Sequence, residues 1–142
     1  MKFFDIKIKK RTKEIIFVSS IIIGGFIALG IYMHIRTKNL IKAIEDNPSY
    51  TIATILKYGR SRGTGISAII KFTDKENNSI KIPTSNILDK RENIVAGDQF
   101  IVAYDATNPE QCILLTNYPI KDSVDFHRYI EELKVNPPRL KR

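Results

Sequence analysis

Residues 99–116 read QFIVAYDATNPEQCILLT. Two short runs of aliphatic and aromatic residues, 99–104 and 111–116, flank a segment rich in turn formers. In the first run Phe100, Val102 and Tyr104 alternate with Ile101 and Ala103. A period of two is the signature of a strand, whose successive side chains point to opposite faces of a sheet. Between the runs, Asp105 and Asn108 offer side-chain acceptors and Pro109 fixes its own φ. The spacing therefore predicts a turn over 105–109 that joins two strands.

The same signature extends towards the N-terminus. In 50–58, Tyr50, Ile52, Thr54, Leu56 and Tyr58 are expected on one face. In 66–73, Ile66, Ala68, Ile70 and Phe72 alternate with Ser67, Ile69 and Lys71, and in 79–83 Ile80 and Ile82 flank Lys81. Between these runs lie GRSRGTG (59–65), the polar stretch 74–78 and the tight turn Ala96-Gly97-Asp98. The expectation is a small all-β domain over 50–116: five mainly antiparallel strands in a barrel or half-barrel of OB or SH3-like size. A closed or nearly closed sheet limits exposed edges.

Helices are expected on both sides of it. After the strands, in DSVDFHRYIEEL (122–133), Phe126, Tyr129, Ile130 and Leu133 fall at i, i+3, i+4 and i+7. They form one face of an amphipathic helix, capped by Asp122 or Ser123 and stopped by Pro137-Pro138. This helix and a basic, proline-containing tail make up 117–142. Before the strands, Ile15 to Ile35 is a 21-residue run without Asp, Glu, Lys or Arg. At a rise of about 1.5 Å per residue it covers roughly 30 Å, the thickness of a bilayer's hydrocarbon core. Its length exceeds a signal-peptide core and no small-x-small cleavage site follows it, so it is read as an uncleaved transmembrane helix. Ser20 and Gly24 have the spacing of a helix-packing motif. A juxtamembrane helix or linker occupies 36–48, with NLIKAIED (39–46) continuing the helix until Asn47-Pro48.

Charge sets the orientation and removes one function class. The chain of 142 residues carries a formal +8. The leader 1–14 holds six cations, and three more (Arg36, Lys38, Lys42) follow the apolar run. The side richer in Lys and Arg stays in the cytoplasm, which places the N-terminus inside and the β domain outside, in the periplasm or beyond an inner membrane. The leader, with basic and apolar residues interleaved, is suited to lie on an anionic surface. Residues 50–133 hold ten cations and eleven anions. The basicity belongs to the flanks, so a nucleic-acid-binding domain is not expected.

The string GDQFIVAYDATNPEQCILL (97–115), following YTIATILKYG and IIKFTDKENNSIKI, resembles a widespread bacterial family to which no activity is assigned. Its members set one or two transmembrane helices beside a small β domain. Ala53-Thr54-Ile55, Gly97, Asp98, Val102, Tyr104, Asp105, Asn108, Pro109 and Glu110 match its pattern. The resemblance covers about 50–116 and implies the fold and a bacterial origin. It departs in having one helix where many relatives have more. On physical grounds the same residues read as structural: Gly97, Asp105, Asn108 and Pro109 suit turns, and Val102 suits a core.

Candidate chemistry is sparse. Cys112 is the only thiol and reads as a small buried hydrophobe. A nucleophile would need a base, and the only histidines are His34, at the membrane edge, and His127, just off the apolar face of the C-terminal helix. One cysteine and two histidines offer no metal-ligand spacing. The pairs Asp74/Glu76 and Asp122/Asp125 are explained by a turn and a helix start. Arg60 and Arg62, in the glycine-rich loop 59–65, are the best candidates for a contact surface, since each can bind a carboxylate or phosphate bidentately. The expectation is a non-catalytic binding or assembly module with no cofactor. Its partners would be the bilayer and another envelope protein or a second copy. The alternatives are an immunity-like or accessory inhibitor of a toxin or membrane enzyme and, last, an enzyme.

Overall fold

Ile101 and Val102 are neighbours in sequence, yet they belong to two different hydrophobic layers. That division organises the protein. The structure, a computed structural model, describes residues 2–61, 65–89, 91 and 93–140. It comprises two units, Met1–Asn39 and Leu40–Arg142.

The first unit is helical. Helix α1 runs over Lys2–Asp46 and carries the apolar run on its surface; its last turns, from Leu40, belong to the second unit. The described part of the helix is long and apolar enough to cross a membrane, and its apolar stretch is not buried at all. Phe26 is 71% exposed and Ile15 68%. The hydroxyls of Ser19 and Ser20 both donate to the Ile16 carbonyl, at 2.9 and 2.8 Å, so neither presents an unmet polar group. The side chains of the leader up to Lys13 lie outside the described residues.

The second unit contains β1 (Pro48–Ser61), β2 (Gly65–Thr73), β3 (Ser79–Thr84), β4 (Ile87–Leu88), β5 (Gln99–Asp105), β6 (Asn108–Pro119) and α2 (Ser123–Val135). One curled sheet has the order β3-β2-β1-β5-β6-β4. All pairs are antiparallel except β4 with β6. The two outer strands are not hydrogen-bonded to each other, which makes a half-barrel. The inner layer holds Ala53, Ile55, Ile70, Phe72, Phe100, Val102, Tyr104 and Leu114. The Phe72 and Tyr104 rings meet at 5.5 Å. The outer layer is made by Ile101, Ala103, Ile113 and Leu115 from the sheet, Ile44 from α1, Leu133 from α2 and Leu140 from the tail. β5 is buried along six of its seven residues because both its faces are covered.

Three local expectations are corrected. Tyr58 does not share a face with Tyr50 and Ile52. Those two pack in the outer layer, whereas Tyr58 packs against the inner one. The cause is a register shift between Ile55 and Lys57, a β-bulge at Leu56 that reverses the alternation. Asn108 and Pro109 lie in β6 rather than in the turn. The turn is tighter, with Asp105 opposite Asn108 and the Asp105 carboxylate accepting from the Thr107 N–H and hydroxyl. A sixth strand, β4, is too short to show any alternation. It is held by the Leu114 N–H donating to Asn86 and by the Thr116 hydroxyl donating to Leu88.

Helix α2 begins as its sequence predicts. Asp122 is the N-cap and accepts from the Asp125 N–H at 2.9 Å, while Asp125 accepts from Lys121 N–H at 3.1 Å. Phe126, Tyr129 and Ile130 pack on the outer layer with Leu133, and Tyr129 meets Tyr118 edge-on at 5.2 Å.

Candidate functional site

The Arg-bearing loop lies at the tip of an arm. Pairing of β1 with β5 ends at Thr54–Gln99, whereas β1 and β2 stay paired out to Ser61–Gly65. Arg60, opposite Ile66, is exposed and makes no ion pair among the described residues. Arg62 lies outside the described residues.

The 97–110 motif builds the turns on either side of β5. Gly97 has φ +98°, a left-handed conformation that glycine adopts without penalty. There its N–H donates to the Ile55 carbonyl at 2.8 Å, and the Ile55 N–H donates to the Asp98 carbonyl at 2.9 Å. These two bonds occupy β1 just past the end of its β5 ladder. The Asp98 carboxylate accepts from Val95 N–H at 3.0 Å. Val102 and Tyr104 are buried in the inner layer, Asp105 closes the β5–β6 turn, Asn108 and Pro109 start β6, and Glu110 is exposed. Each of these residues has a place in the fold.

Cys112 and His127 are on opposite sides of the sheet. Cys112 is buried in the inner layer, where burial pushes its thiol up to about 12. His127 is exposed on α2, which packs on the outer layer. The thiol therefore has neither a base nor the thiolate character a nucleophile needs. Among the described residues no three His, Cys, Asp or Glu side chains cluster as metal ligands would. Asp74 is used locally, accepting from the N–H groups of Glu76 and Asn78 and from the Asn78 side chain at 2.8–3.0 Å. Desolvation pushes its carboxyl upward, but these bonds outweigh it and hold the group below the ordinary range.

One cleft of about 520 Å³ opens where α1 gives way to β1. Ile44, Pro48, Tyr50 and Leu140 line it, with Glu45 and Arg139 beside them. Burial, reinforced by the neighbouring Tyr118, raises the Tyr50 hydroxyl above its usual range.

A second feature is a set of lysines not read from the sequence as a surface. Lys71 and Lys81 are directly opposite each other across β2 and β3. Thr54 and Gln99 continue their row, with Gln99 donating to the Thr54 hydroxyl at 3.4 Å. The next row is Lys57, Ile69 and Pro83. All three lysines are exposed and alternate with Ile70, Phe72, Ile80 and Ile82 of the inner side, so they share the outer face. The sequence signal was the alternation of Lys71 and Lys81 with inner-side residues in each strand, but only the register places the two side by side.

No protein-family model, no curated protein and no solved structure matches the chain.

Proposed function

We propose that the chain is a single-pass membrane protein that carries its β half-barrel outside the cytoplasm as a non-catalytic binding or assembly module, partnered by another envelope protein or a second copy. The observation that carries this reading is the uncharged stretch 15–35, exposed along α1 with apolar side chains that the hydrocarbon core of a bilayer would cover favourably. The excess of cations before that stretch supports the orientation. The β domain supports the non-catalytic part. Its inner layer is filled by packed hydrophobic side chains, and its one thiol is buried there, across the sheet from His127.

The test is topology. The chain should stay in the membrane pellet under alkaline carbonate. A cysteine appended after Arg142 should react with an impermeant maleimide in intact spheroplasts, with buried Cys112 silent until the protein is denatured. Release by carbonate would remove the anchor. A tail that labels only after lysis would place the domain in the cytoplasm and overturn the orientation.

A further inference from the structure

The outer face of the half-barrel is covered unevenly. The outer layer draws on the first part of β1, on β4, β5 and β6, and on α1, α2 and the tail. Among the described residues none of β2 or β3 belongs to it. Over those two strands and the adjoining end of β1 the outer face carries Lys57, Lys71 and Lys81 in two adjacent rows, with half-buried Ile69 beside Lys57. Leu56, in the adjoining bulge, is 40% exposed.

Two features distinguish this face from an ordinary solvated surface. First, Lys71 and Lys81 are cross-strand partners, an arrangement in which like charges repel. An acidic residue at either position would relieve it. Second, none of the three lysines has an ion-pair partner among the described residues. The acids nearest Lys71 and Lys81 in sequence, Asp74 and Glu76, lie in the β2–β3 turn and are bonded to Asn78. Arg60, opposite inner-side Ile66, falls in a row of the other face and does not join this strip. The two rows, Gln99-Thr54-Lys71-Lys81 and Lys57-Ile69-Pro83, hold three cations and no acid.

We propose that the outer face of β1–β3 is a docking surface for the anionic headgroups of the bilayer in which the chain is anchored. Charge complementarity selects an anionic occupant, and interleaved Leu56 and Ile69 suit a surface with an apolar boundary just below its charges. The anchor keeps that surface at high effective concentration, so a weak contact is enough. The proposal rests on the membrane reading above but not on which leaflet the domain faces. An acidic protein segment is the competing occupant.

The experiment uses the full chain with Leu56→Cys, labelled there by a fluorophore while native Cys112 stays buried. It is reconstituted into phosphatidylcholine vesicles with or without phosphatidylglycerol, each doped with a headgroup-attached spin-label quencher. Quenching should rise when phosphatidylglycerol is present and fall back in high salt, which screens exposed charges. Lys71→Gln with Lys81→Gln should weaken docking about fivefold per lysine removed. Lys81→Glu should abolish the phosphatidylglycerol dependence while leaving the thermal transition at or above that of the parent, so lost docking cannot be ascribed to unfolding. Equal quenching in both vesicle types, with the chain still floating with the vesicles, would overturn the docking surface alone and leave an acidic protein as its occupant. A chain that fails to float after carbonate treatment would sink the anchor and the docking together.

Discussion

Gly97 shows how one residue without a side chain fixes a connection. A Cβ there would meet nothing within 4 Å, so space is not the constraint. The constraint is φ +98°, which a side chain disfavours, and it lets the Gly97 N–H reach Ile55. Gly97→Ala should therefore destabilise the domain by about 1–2 kcal/mol through backbone strain alone, measured as a lower denaturation midpoint with an unchanged denaturant slope. A drop in the slope would show instead that the denatured state or the cooperativity had changed. Cys112 gives a pH prediction of definite sign. Its thiol titrates at about 12 in the fold against 9.0 when free. The fold thus favours the neutral form, and this contribution is intact below pH 9.0 and fades as pH rises towards 12. Three pH units at about 1.36 kcal/mol each set an upper limit of about 4 kcal/mol. Cys112→Ala should flatten that part of the alkaline stability curve, whatever small cavity it leaves at neutral pH. An unchanged curve would assign the alkaline loss to other groups, buried Tyr104 first.

At the scale of elements, what the sequence made legible followed from periodicity over long enough runs. β5, whose alternation is uninterrupted, and α2, with four apolar residues at helical spacing and an acid at its cap, were readable nearly to their ends. Where periodicity was broken by a single inserted residue it misled, since the bulge at Leu56 sends Tyr58 to the face opposite the one its parity predicts. Nothing in ILKY marks that insertion, and the bulge begins at the residue that bonds to the Gly97–Asp98 turn, more than forty residues away. β4 escaped notice for a similar reason: its two residues are a strand only because β6 lies beside them. The lysine rows were legible singly but not jointly, since cross-strand register depends on turn geometry. That register makes a testable statement about β2 and β3. Lys81→Glu replaces a repulsive pair by an attractive one and should raise stability by about 0.2–1 kcal/mol, with the gain shrinking in high salt. A stability decrease would mean that Lys71 and Lys81 are not opposite each other in solution. Asp122→Ala should cost about 1 kcal/mol through loss of the α2 cap, read from the same melts.

At the scale of the molecule, the β domain does not begin where its strands begin. Ile44 is 1% exposed and belongs to the outer layer with Leu133 and Leu140, and Leu40 and Ile41 pack against the same cluster. The compact unit accordingly starts at Leu40, ten residues before the strand pattern that first suggested a domain. The sequence hinted at this only as a helical continuation, because three apolar residues at helical spacing after a membrane helix look the same whether they face lipid, water or a sheet. The consequence is quantitative. Ile44→Ala should destabilise the domain by about 2–5 kcal/mol, the range for emptying a buried aliphatic site, although residue 44 lies in the same helix as the membrane stretch. Ile31→Ala, 56% exposed on that helix, should leave the domain's unfolding unaltered. The comparison is made on the full chain in detergent by hydrogen exchange at β5 and β6, whose amides report opening of the sheet rather than loss of α1. Equal protection in the two variants would mean that the outer layer closes without α1. Loss of protection in Ile44→Ala alone would show that the end of the helix is a structural member of the domain, and that the boundary between anchor and module falls within α1 rather than at its end.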